Sequence, residues 1–89
     1  MAIYMISYDL NEPGQNYDDL IQRIQGLGAW AHALKSAWFV ETSMPAKEIF
    51  DYLYEAVDET DDLLITELKG LWWGKLDREV LDWLKQRLP

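Results

Sequence analysis

Cysteine is absent from the 89 residues, which excludes disulfides, thiolate zinc sites, iron–sulfur clusters and a cysteine nucleophile. Histidine occurs once, at His32, and an imidazole metal site built on it would need carboxylates converging from distant parts of the chain. Basic residues are scarce as well. Eight Lys and Arg stand against sixteen Asp and Glu, giving a net charge of −8 and an isoelectric point near 4.4. Non-specific nucleic-acid binding works by neutralising phosphates, so it is disfavoured unless the few bases cluster or a metal bridges the gap. No apolar run reaches the ~20 residues of a membrane-spanning helix. The opening MAIYMISYDL carries neither a basic leader nor a cleavage site, and the expectation is a cytoplasmic protein with no membrane partner.

What is present is apolar and aromatic. Hydrophobic residues make up 49% and aromatic residues 13%, far above the range of disordered chains even at this charge. Residues 1–89 read as a single domain. A chain this short buries only roughly 60–65% of its unfolded surface, which favours sharing a core between subunits. Charge is unevenly placed: −2 over residues 1–40, −8 over 41–68 and +2 over 69–89, so the last segment is the only basic one.

Ala2 to Asp9 alternates Ile3, Met5 and Ser7 with Tyr4, Ile6 and Tyr8, the period of a strand. Pro13 and Gly14 mark a loop, Asn16 is placed to cap a helix with Asp19 at its third position, and Leu20, Ile21, Ile24 and Leu27 form the apolar stripe. Gly26 and Gly28 supply the stop. Strands over Ala29–Leu34 and Ala37–Thr42 meet at Lys35 and Ser36 in a hairpin. Ile49, Phe50, Leu53, Tyr54 and Val57 give a second helix, Asp58–Asp62 a polar turn, and Leu63–Leu68 a fourth strand. Leu76, Val80, Trp83, Leu84 and Leu88 mark a third helix.

The order βαββαβ plus α predicts an α+β, ferredoxin-like sandwich with an added C-terminal helix, its first and third strands central and its first two helices on one sheet face. Both registers of the central strands are largely apolar, so the second face is expected to be exposed and to be covered by a second subunit in a homodimer.

Asp9, at the end of a central strand before an irregular loop, is the leading site candidate. Near a two-fold axis, two Asp9 carboxylates would share a proton or recruit a divalent cation, with Asn11 and Glu12 adding oxygen ligands. The competing reading is that Asp9 caps the loop by accepting backbone N–H bonds. A triad of His32 with Ser7 or Ser36 finds no nucleophile elbow or oxyanion glycines around either serine. Trp30, Trp38, Trp72, Trp73 and Trp83 offer base-stacking surfaces but lack interleaved bases, and are expected to fill the core or a dimer seam. Glu55, Asp58, Glu59, Asp61 and Asp62 lack calcium-loop spacing and read as a solvated, repulsive edge.

The run Ile6-Ser7-Tyr8-Asp9-Leu10-Asn11-Glu12-Pro13-Gly14, the helix end Leu27-Gly28, the hairpin Lys35-Ser36-Ala37-Trp38-Phe39-Val40-Glu41 and the ending Asp82-Trp83-Leu84 together resemble the SinR-like family along the whole chain. Over residues 1 to about 68 the chain is more distantly similar to the Cas-two family of CRISPR-adaptation proteins and the VapD toxins, which share a ferredoxin-like homodimeric fold. That resemblance implies a nuclease in which Asp9 of each subunit holds Mg²⁺ or Mn²⁺, and it places Tyr8, Ser36 and Trp38 at positions of substrate or interface contact. The chain departs from the Cas-two pattern where NEPGQNYDD replaces the arginines that often follow the aspartate, and where a helix replaces the edge-exchanging last strand. The alternative is a noncatalytic acidic dimer binding another protein as regulator, adaptor or nucleic-acid mimic, in a defence or counter-defence setting.

Overall fold

A computed structural model describes residues 1–11 and 17–88. Four strands, β1 (Ala2–Asp9), β2 (Ala29–Leu34), β3 (Ala37–Thr42) and β4 (Asp62–Leu68), form one antiparallel sheet in the order β2-β3-β1-β4. Three helices join them: α1 (Asp18–Gln25), α2 (Ala46–Tyr54) and α3 (Arg78–Lys85). The class is α+β, and the first and third strands hold the centre, as the order of elements predicts.

Strand alternation sorts the side chains into two cores. On one face Tyr4, Ile6 and Tyr8 of β1 and Trp38 and Val40 of β3 pack with Leu20 and Ile24 of α1 and Ile49 and Leu53 of α2. Ile6, Leu20, Ile24, Val40, Ile49 and Leu53 are fully buried. Each such aliphatic side chain contributes about 1.5–3 kcal/mol of burial free energy, which makes this the main stabilising layer. Arg23 fastens the two helices over it. Its guanidinium reaches Asp19 and Glu55 at 3.2 Å each, donates to the Tyr52 carbonyl at 2.7 Å and lies 4.9 Å from the Tyr52 ring centroid.

The other face departs from the sequence expectation. Ile3 of β1, Ala31 of β2 and Phe39 of β3 form a second core with Val80 and Leu84 of α3, bordered by Met5, Leu68, Trp72, Leu76 and Trp83. The C-terminal helix therefore covers much of the face assigned to a second subunit, because its 3.6-residue stripe matches the apolar register that α1 and α2 leave bare. Phe39 stacks on Trp83 at 6.3 Å, and Arg87 lies 4.1 Å over the Trp83 ring while reaching Glu41 at 3.4 Å.

Boundaries shift in understandable ways. Tyr17, not a capping side chain, precedes α1; Asn16 and the Pro13–Gly14 turn lie outside the described residues. α3 is shorter than its stripe: Leu76 and Leu88 pack against the second core from the flanking segments. Gly28 is required where β2 begins, since a Cβ there would stand 2.1 Å from the Glu41 carbonyl oxygen. Gly70, at φ +62°, turns the chain out of β4 in the left-handed region that favours glycine. Among the described residues no helix is long and apolar enough to cross a membrane.

Candidate functional site

Asp9 closes β1 and Asp62 opens β4, and the two are direct partners in the antiparallel ladder. Residues so paired have Cα atoms about 4.5–5.5 Å apart and side chains on one face. That face is the one α3 covers elsewhere, but here it is open: Asp9 and Asp62 are exposed, and with Ser7 and Leu64 they border a shallow hollow of about 240 Å³. Neither carboxylate has a hydrogen-bond or ion-pair partner among the described residues.

Asp9 is solvent-facing at the strand end and accepts no hydrogen bond from the described residues. Its carboxylate neighbour lies within the same chain, on Asp62, which opens β4 and does not belong to the polar turn expected over Asp58–Asp62. The signal for Asp62 was available: with β1 beside an antiparallel β4, the residue ending one strand faces the residue starting the other.

Asn11 is engaged nearby. Its backbone N–H donates to Asp61 Oδ1 at 2.7 Å and its amide nitrogen to the Thr60 carbonyl at 2.6 Å, fastening the chain leaving β1 to the turn entering β4. Glu12 lies outside the described residues.

Asp61 organises that turn, so the acidic run is more than a repulsive edge. It accepts from the Asn11 N–H, the Asp58 N–H at 2.8 Å and the Tyr17 hydroxyl at 2.9 Å. Desolvation pushes the Asp61 carboxyl upward, but the donors from Asn11, Asp58 and Tyr17 outweigh it and hold its pKa below the ordinary aspartate value.

The remaining candidates sit elsewhere. Tyr8 and Trp38 are buried in the first core, on the sheet face opposite Asp9, where Trp38 Nε1 donates to the Tyr8 hydroxyl at 3.0 Å. Ser36 lies in the β2–β3 turn and accepts the Tyr8 N–H through its carbonyl at 3.0 Å. The structure thus brings the Tyr8 side chain together with Trp38, and the Tyr8 N–H with Ser36, while Tyr8 also borders the hollow of the two carboxylates, its ring turned to the opposite face. His32 stacks on Trp38 at 3.9 Å, with the ring planes 7° apart, and Trp30 meets the same indole edge-on at 5.2 Å.

Among the described residues no group of three or more His, Asp or Glu converges on one point. The Asp9–Asp62 pair is instead a two-carboxylate oxygen site open to solvent. Such a donor set suits Mg²⁺ or Mn²⁺, which take one or two carboxylates and fill their other positions with water and phosphate oxygens.

No protein-family model, curated protein or solved structure matches the chain.

Proposed function

We propose that the protein is a homodimeric, divalent-metal-dependent nuclease of the SinR-like group, with a ferredoxin-like fold related to the Cas-two and VapD proteins. The observation that carries the reading is the Asp9–Asp62 pair: two carboxylates without a partner among the described residues, facing each other at an open strand end. Asp9 and Asp62 would hold Mg²⁺ or Mn²⁺, and Asn11 Oδ1 is the next side-chain oxygen after Asp9. A bound divalent cation supplies charge neutralisation to a phosphodiester and acidifies a water. At −8 the surface repels polyphosphate, so carboxylates that recruit a cation are the means by which this chain would approach RNA or DNA. The open hollow leaves room for a backbone phosphate without displacing a structural element.

The test is incubation of the wild type with single- and double-stranded RNA and DNA in Mg²⁺ and in Mn²⁺. Cleavage is expected with at least one of these, lost in EDTA and lost in both Asp9→Asn and Asp62→Asn. Cleavage that survives both substitutions would place the activity elsewhere. Absence of cleavage on every substrate would give first place to the noncatalytic reading.

That second reading has its own observation. The outer side of α2 exposes Glu48, Asp51 and Glu55 beside Tyr52 and Tyr54; Asp51 pairs with Lys47 and Glu55 with Arg23, so a basic protein partner would meet Glu48, Tyr54 and the remaining charge of the acidic residues 41–68.

A further inference from the structure

Leu71 and Trp73 are fully exposed, the most solvent-facing large apolar side chains of the described protein. They lie on the arm between β4 and α3, and with Leu81 and Leu88 they border an apolar groove on the outer side of α3. Single exposed apolar residues are ordinary, but a leucine and an indole two residues apart, both bare, mark a contact surface. The arm also carries Lys69, which reaches Glu67 at 3.7 Å, and Lys75, which has no ion-pair partner among the described residues. Five of the eight basic residues belong to residues 69–89, while residues 1–68 are strongly acidic. The chain is therefore electrostatically complementary to itself.

The matching surface is the hollow at the other end of the sheet. Leu64, 59% exposed, is apolar and bare there, and Asp9 and Asp62 stand beside it. An apolar pair flanked by two lysines meets an apolar patch flanked by two carboxylates. The arm cannot satisfy its own hollow: β4 separates them by seven residues, about 20 Å at strand rise, and Trp72 anchors the arm to the second core at the far end.

We infer that the arm bearing Leu71 and Trp73 docks on the Leu64 hollow of a second copy of this chain, with Lys69 and Lys75 answering Asp62 and Asp9. A two-fold axis makes the exchange reciprocal, two arms on two hollows. Each bare indole offers up to roughly 250 Å². With the leucines and the surfaces covered, the contact comes within reach of the roughly 1,200–2,000 Å² of stable interfaces. A nucleic acid or an anionic membrane would also attract the lysines, but a second copy offers them two carboxylates beside a bare leucine, matching both the charged and the apolar parts of the arm. The inference rests on the homodimer proposed above and names its contact; the docked arm covers Asp9 and Asp62, so arm and divalent cation compete for one hollow, and the cation is held only where the arm has left it.

The experiment is multi-angle light scattering in EDTA, where no divalent cation competes for the carboxylates. The wild type is expected at twice 10.5 kDa at about 100 µM. Two charge-reversed proteins follow, Lys69→Glu with Lys75→Glu, and Asp9→Lys with Asp62→Lys. Each alone sets like charges against each other and is expected as a monomer. Mixed one to one, they restore both contacts and are expected to form a heterodimer, which also shows that both are folded. Leu71→Ser with Trp73→Ser should be monomeric as well.

A monomeric wild type would overturn the homodimer itself. A dimeric wild type whose charge reversals stay dimeric, or whose mixture does not associate, would overturn this contact and leave the homodimer standing. Quenching of wild-type tryptophan fluorescence by a single-stranded oligonucleotide or by phosphatidylserine vesicles, in a monomer, would assign the arm to that ligand instead.

Discussion

Asp9 and Asp62 face each other across the β1–β4 ladder with no counter-charge among the described residues. Like charges directly opposed in an antiparallel pair destabilise it by roughly 0.2–1 kcal/mol. In low-salt EDTA, at concentrations low enough that the chain is monomeric, Asp62→Asn and Asp9→Asn should therefore each be slightly more stable than the wild type, by up to about 1 kcal/mol in urea titrations. Added Mg²⁺ or Mn²⁺ should raise the wild-type Tm through binding to the folded state, and this response should vanish in both variants. An equal metal response in wild type and variants would remove the pair as a cation site.

The turn held by Asp61 predicts an acid-side loss of stability. Its folded pKa lies below the ordinary aspartate value near about 4, so the carboxylate contributes its stabilisation above the unfolded pKa and loses it as pH falls through the folded one. Asp61→Asn should lower Tm at neutral pH, since the Asn11, Asp58 and Tyr17 donors lose a charged acceptor. It should also flatten the decline of Tm below about pH 4. Parallel wild-type and variant curves across that range would show that the three hydrogen bonds carry no linkage.

Much of the fold was legible because periodicity and punctuation agree. Tyr4-Ile6-Tyr8 against Ile3-Met5, Leu20-Ile24, and Trp38-Val40 against Phe39 each declare an element and two faces. What misled was the assumption that a second apolar face needs a second chain: Val80 and Leu84 carry the complementary stripe, but sequence shows a stripe and not which sheet face it covers. The candidate site was half legible for the same reason. Asp9 stands out as the end of a hydrophobic strand, while Asp62 hides in an acidic run until strand pairing sets it opposite Asp9. Leu71 and Trp73 were unreadable as exposed, because Trp72 beside them is packed and composition does not distinguish adjacent aromatics.

Gly28 makes a sharp steric prediction. A Cβ at this position would overlap the Glu41 carbonyl oxygen at 2.1 Å, and that atom belongs to the backbone of β3 and cannot swing aside as a side chain would. Gly28→Ala must push the start of β2 away from β3, at a cost of about 1–3 kcal/mol or more. Gly74→Ala, whose Cβ would meet only Leu76 side-chain atoms at 3.8 Å, is the control and should change stability little. Equal urea midpoints for the two variants would refute the close approach.

The covering of the second sheet face by α3 predicts a local failure. Leu84 is 1% exposed and packs with Val80, Ile3 and Phe39, so Leu84→Ala should cost about 2–5 kcal/mol. The loss should not spread evenly. α3 follows a long connection, reaches the sheet through this one core, and is held otherwise by the Phe39–Trp83 stack and the Arg87–Glu41 pair. Weakening the core should therefore release α3 while the α1–α2 layer, with its own six fully buried side chains, stays formed. Hydrogen exchange should accelerate over residues 78–88 in Leu84→Ala while Leu20–Ile24 and Ile49–Leu53 keep their protection. Leu53→Ala, in the first core, should instead lower protection throughout. If both variants lose protection uniformly, the two cores fold as one unit, and α3 is as integral to the sheet as α1 and α2 are.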